Sequence, residues 1–191
     1  MRTWLFSTTL LLAAATGFVR TAAAQDISGK AKQAEALLAQ GKIIEAITAL
    51  DEAATALWDK APLSFRRAIW VAEKGSGFGA FNPRENAVFS AGAPMLVYAE
   101  PVGFGWRQSG DMFRTDMIAD VVIKQADGKE LFRQEEFQKL QLASRVRNRE
   151  FMVNFTYTLS GIPKGEYTVE TIIRDQVSGK KGSFTLPFTI R

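Results

Sequence analysis

Apolar residues recur along this chain with two different periods. Between residues 26 and 60 they fall at helical spacing, as Ala31, Ala34, Leu37 and Leu38, then Ile43, Ile47, Leu50, Ala54 and Leu57. Gly41 separates the two sets where a tight connection belongs, and Pro62 closes the second. The spacing therefore predicts two helices folded back on each other. From Leu63 onward the period drops to two. Alternation runs through Phe65, Arg67, Ile69 and Val71, through Met117, Ala119, Val121 and Ile123, and through Phe151, Val153, Phe155, Tyr157 and Leu159. It returns at Tyr167, Val169, Thr171 and Ile173, and last at Phe184, Leu186, Phe188 and Ile190. Such alternation is the mark of strands with one face buried and one wet.

The turn chemistry agrees. Ala126-Asp127-Gly128-Lys129 is a strong hairpin signal between strands at 121–125 and 131–138, and Ser178-Gly179-Lys180-Lys181-Gly182 joins the last two strands. With Leu96–Glu100 counted as a buried strand ended by Pro101, the region 63–191 is expected to hold about seven strands. No helical pattern long enough to wind a parallel sheet interrupts them. The expected fold is mainly β, a seven-stranded antiparallel immunoglobulin-like sandwich carrying an N-terminal helical hairpin at 25–62.

Residues 1–24 read as a different kind of segment. Arg2 gives a small positive start, Trp4 to Ala15 is apolar, and Ala22-Ala23-Ala24 offers small residues at cleavage spacing before Gln25. That order of parts describes a cleaved export signal, and the apolar run is short for a membrane span. Export combined with a complete lack of cysteine points to a bacterial periplasm, with secretion as the alternative destination. The mature chain, about 167 residues, is long enough for one good hydrophobic core. Arg2 and Arg20 would leave with the leader, so the remaining Lys and Arg nearly balance the 20 acidic residues. A net charge of about +2 gives no reason to expect nucleic acid as a partner.

Two resemblances attach to quoted segments. "AEALLAQGKIIEAITALDEAATAL" resembles one tetratricopeptide-type helix pair, with Ala34 before the turn and Ala46, Leu50 and Ala53 five, nine and twelve residues after Gly41. The resemblance implies two closely approaching helices. "LSGIPKGEYTVETIIRD" is similar to the approach to the sixth strand of an immunoglobulin-like or fibronectin-type-III-like sandwich. It implies that Tyr167 is a corner tyrosine whose hydroxyl bonds to backbone a few residues upstream. Folds of this kind carry many functions and select none.

The residue inventory narrows the chemistry. Without His or Cys there is no Ser-His-Asp triad, no Cys-His pair and no usual zinc or copper site. Asp116 and Asp120 are the best carboxylate pair, on the wet face of one strand with Asp111 just before it. Residues four apart on a strand are about 13 Å apart, whereas glycoside hydrolysis needs carboxyls about 5–9 Å apart across a cleft. Calcium binding at these aspartates is a weaker alternative, because the chain has no dense Asp/Asn/Gly loop. The reading is therefore non-enzymatic, with no cofactor and no metal.

Contact candidates remain. The stretch from Ala93 to Phe113 carries Tyr98, Glu100, Phe104 and Trp106; Tyr98 and Glu100 read as a buried hydrogen-bonded pair, while the loop from Val102 to Asp111 offers Phe104 and Trp106 to a sugar or peptidoglycan fragment. "SRVRNRE" puts Arg145, Arg147 and Arg149 at alternate positions, suited to an anionic partner if extended, or to guarding a sheet edge. "GSGFGAFNPREN" is a Gly-rich connection lacking the Lys-Ser/Thr of a phosphate loop, its Phe78 and Phe81 tucked against the sandwich. The helix pair is the strongest of these features. A single pair cannot bury its own apolar face, so Ile43, Ile44, Ile47, Leu50 and Leu57 must meet the protein's own sandwich or a partner, with Trp58 as anchor. The expected role is an interaction module of the cell envelope, whose partner is another envelope protein or a second copy. A glycan-binding sandwich is the alternative.

Overall fold

The computed structural model describes residues 19–191, with side chains described from residue 26. Most of the predicted leader, residues 1–18, lies outside the described residues. Helix α1, Val19–Ala39, runs through the predicted cleavage position, so cleavage after Ala24 would leave the helix from Gln25 onward. A turn with Gly41 at φ 73° leads to α2, Ile43–Lys60. The chain divides into two compact units, one ending at Leu57 and one beginning at Trp58.

In the first unit the buried side chains among the described residues are Ala34 of α1 and Ala46, Ala49 and Ala53 of α2. Side chains no larger than methyl groups let the two backbones approach closely. Lys30 and Glu52 add an exposed ion pair across the helices at 2.6 Å.

The second unit is mainly β. Its strands are β1 (Ser64–Trp70), β2 (Val88–Phe89), β3 (Pro94–Val102), β4 (Arg107–Ser109), β5 (Met112–Gln125), β6 (Glu130–Ser144), β7 (Val153–Thr158), β8 (Gly165–Asp175) and β9 (Lys181–Ile190). Seven were expected, and nine are present among the described residues. The extra two are β2, two residues paired in parallel with the end of β9, and β4, three residues paired with the start of β5. Neither is long enough to leave a period in the sequence. One sheet has three strands in the order β1-β3-β7; the other has six, in the order β2-β9-β8-β5-β4 with β6 on the far side of β5.

One buried cluster draws on both sheets, with Val97 and Ala99 of β3 and Phe155 of β7 on one side and Met117, Ile123, Val169, Ile173 and Phe188 on the other. Trp70 ties the layers together. Its indole N–H donates to Pro187 O at 2.9 Å, and its ring contacts Phe89, Tyr157 and Phe188. Three strands cannot cover six, so part of the wider sheet has no strand opposite it. The burial of β6 follows from this: apart from Leu140 its side chains are exposed or half-buried.

The expected corner tyrosine is present, with Tyr167 Oη donating to Pro163 O at 2.9 Å. Both predicted turns also form, with positive φ at Gly128 and Gly179. The pairing of β5 with β6 carries an irregularity. Ala119 faces Gln138 and Val121 faces Gln134, so β6 uses extra residues where β5 uses one, and Glu136 there takes φ 50°.

Candidate functional site

The loop that looked most like a site is a packed joint. Phe104 is wholly buried (0% exposed), with its ring 5.1 Å from Trp58 and 5.3 Å from Trp106. Trp58 is half-buried and donates its indole N–H to Phe104 O at 2.8 Å, so it is an internal brace rather than an exposed anchor. Distant groups clamp the same loop. The buried Asp175 carboxylate accepts Gly105 N–H at 2.6 Å and Val177 N–H at 2.9 Å, and Ser178 Oγ bonds to it as well. Lys180 Nζ donates to Gly103 O at 2.8 Å and Asp59 O at 2.9 Å. Gly103 has φ 80°, and a Cβ there would lie 2.4 Å from Pro62 O, so only glycine fits. No aromatic face of Phe104 is left for a sugar, and Trp106 keeps only partial exposure.

Tyr98 and Glu100 are both buried in β3. Tyr98 Oη donates to Glu100 Oε1 at 2.8 Å and accepts Gly79 N–H at 2.8 Å. Burial pushes the Tyr98 hydroxyl above its ordinary range. Phe81 stacks on the Tyr98 ring at 4.5 Å, and Asn154 makes two hydrogen bonds to Gly75, at 2.9 Å each. The pair therefore holds down the Gly-rich connection and does not form a contact surface.

The arginines are also engaged. The segment after Ser144 is irregular rather than extended, so it forms no ladder of guanidinium groups. Arg145 pairs with Asp111; Arg147 pairs with Asp59 at 3.3 Å and lies over the Phe113 ring. Arg149 is half-buried and has an interaction of its own. The two candidate carboxylates differ in role. Asp116 accepts a bond from Gln141 at 3.1 Å. Asp120 is buried, receives both Arg174 Nε (2.8 Å) and a second guanidinium nitrogen (2.9 Å), and accepts Glu136 N–H at 2.9 Å. Burial alone would raise its carboxyl, but the Arg174 and Glu136 hydrogen bonds outweigh it and hold it below the usual aspartate range. Asp120 thus secures the β6 irregularity that takes Phe137 onto the Tyr157 ring, stacked at 5.5 Å.

What stands open is the second face of α2. Ile43, Ile44, Ile47, Leu50 and Leu57, with Leu38 at the end of α1, are 53–73% exposed. Ile43, Ile47, Leu50, Ala54 and Leu57 follow one another at alternating steps of four and three, the spacing of a seam between helices. At 3.6 residues per turn this stripe lies roughly a quarter-turn from the alanine seam that holds the hairpin together. The helix therefore carries two apolar faces, of which the hairpin uses the one built from alanines. The sequence spacing showed that the large side chains need a partner; it did not separate the two faces, because both obey helical periodicity.

No family model matches this chain, and no curated protein matches it. Solved structures match only loosely. The chain is similar to the PKD domain of an M14-like peptidase from a Thermoplasmatales archaeon at 16% identity, covering 68% of this chain and 96% of that one, with a TM-score of 0.35. It is similar to a Niemann-Pick type C2 protein from Japanese carpenter ant at 9% identity, covering 69% and 94%, with a TM-score of 0.40. The superoxide reductase of Ignicoccus hospitalis gives 11% identity over 69% and 84%, with a TM-score of 0.37. Likeness at this level says nothing about what the chain binds.

Proposed function

We propose that this protein is an exported, non-enzymatic interaction module of the bacterial cell envelope, which contacts a partner protein through the aliphatic face of α2. The observation that carries the reading is the exposed stripe of Ile43, Ile47, Leu50 and Leu57, flanked by Ile44. Exposed apolar patches of this kind mark contact sites, and the three-four spacing suits a partner helix. A second copy is the simplest such partner, because it brings the same stripe. The leader-like segment at 1–24 supports placement in the periplasm. The β unit is read as an immunoglobulin-like sandwich, a reading favoured by the Tyr167–Pro163 corner bond.

The test is a photo-crosslinking residue at position 44, in intact cells. The expected result is one discrete adduct heavier than the chain, lost when Ile47→Glu and Leu50→Glu are introduced. An adduct of twice the chain mass identifies a second copy, and any other mass identifies another envelope protein. The absence of an intermolecular adduct overturns the reading.

A further inference from the structure

The mismatch between the two sheets leaves a recess in the β unit. Strand β7 is the edge of the three-stranded sheet and β6 the edge of the six-stranded one. On β5, Val121 and Ile123 belong to the buried core, and their ladder partners on β6, Gln134 and Phe132, face the same way. Opposite them lie Tyr157 at the end of β7 and the connection that carries Leu159 and Ile162. Together these elements line a half-open recess of about 360 Å³. Leu131 and Phe132, at 47% and 48% exposed, are large apolar residues left beside this space on an edge strand.

The chemistry of the walls is uniform. No charged side chain lines the recess; its polar side chains are Gln134, Thr158 and Ser160, besides the hydroxyl of Tyr157. That hydroxyl is satisfied internally by Thr171 Oγ1 at 2.6 Å. The buried side-chain atoms without partners among the described residues, Trp106 Nε1 and Thr115 Oγ1, belong to residues outside it. The larger part of the lining is apolar, and apolar surface entering such a space is favoured.

The walls are also held in place beforehand. Asp120 secures the irregularity that brings Phe137 onto Tyr157, and Tyr167 holds the loop by its bond to Pro163 O. The volume falls within the roughly 300–1,000 Å³ of small-molecule sites. It equals about a dozen waters at ~30 Å³ each.

We propose that this recess between β6 and the β7–β8 connection binds a neutral aliphatic chain of about ten carbon atoms, free or as the tail of a larger amphiphile. The site is independent of the α2 face.

The test uses the full mature chain with sodium dodecanoate below its micellar concentration, with 1-decanol, and with phosphatidylcholine vesicles, followed through isoleucine and leucine methyl resonances. Both soluble probes are expected to give saturable shifts at Ile123, Leu159 and Ile162. Ile162→Trp, on the half-buried loop, fills the recess and is expected to weaken both by ~tenfold or more. Leu50→Glu, on α2, leaves them unchanged. Shifts with vesicles as well identify a lipid tail as the source, and shifts with the soluble chains alone identify a free amphiphile. Where Ile162→Trp loses the native methyl pattern, Leu131→Glu at the exposed rim replaces it and is expected to weaken dodecanoate more than decanol. Absence of saturable shifts overturns the proposal. So does a folded blocking variant that binds like wild type, or dodecanoate binding without decanol binding, since walls without charge cannot prefer a carboxylate.

Discussion

The hairpin and the β unit draw on similar apolar residues and put them in opposite places. The β unit fully buries large side chains, Tyr98, Tyr157, Phe104, Phe155 and Met95 among them, and leaves Leu131, Phe132 and Val146 as its exposed large hydrophobics among the described residues. Among the described residues the hairpin buries four alanines and leaves isoleucine and leucine outside. In the first case apolar surface works for the protein's own stability. In the second most of it stays open to water along one face of α2, which is the observation behind the proposed partner contact. Small residues hold the hairpin together, and large ones lie exposed on α2.

Substitutions in the two regions should therefore behave differently. The largest loss is expected for Trp70→Ala, which empties the centre of the β core and orphans Pro187 O. A destabilisation of about 3–5 kcal/mol should appear in chemical denaturation followed by Trp58 and Trp106 fluorescence. Asp120→Ala comes next, at about 2 kcal/mol, a figure lowered because Arg174 is partly open to water. Its loss should free the middle of β6 to exchange amide hydrogens faster.

The same carboxylate sets a pH dependence. The folded Asp120 carboxyl lies below its ordinary value, so its stabilisation is fully present above about pH 4 and is lost as pH falls through the folded value. Asp120→Asn should flatten that acid limb, as measured by thermal melts from pH 2 to 6. In the hairpin, Ala49→Leu should cost about 1–2 kcal/mol by forcing the helices apart, seen as lost helical circular dichroism with the β signal intact.

The limits of sequence reading follow the same division. Alternation at 117–123, 151–159, 167–173 and 184–190 revealed β5, β7, β8 and β9, because apolar residues recur at every second position over a long local stretch in each. The Tyr167 corner was legible because its partner Pro163 is four residues away. Strand β2 was invisible, since the strand it pairs with is the end of β9, a hundred residues later. The aromatic loop misled for a similar reason. Its clamping depends on Asp175 and Lys180, 70 and 77 residues along the chain from the groups they hold, and no local pattern encodes them. The recess beside β6 arises from the unequal widths of two sheets, which becomes visible only once the strands are ordered.

The smallest expected effect tests the central claim most directly. A chain carrying Ile44→Gln, Ile47→Gln and Leu50→Gln should melt within about 2 °C of wild type, because exposed substitutions rarely change stability by more than ~0.5 kcal/mol. At the same time the variant should lose the position-44 crosslink in cells. A fall in melting temperature of about 10 °C or more, measured at a dilution where the wild-type chain is monomeric, would contradict the account, since it would mean that these side chains are buried in the single chain rather than against a partner.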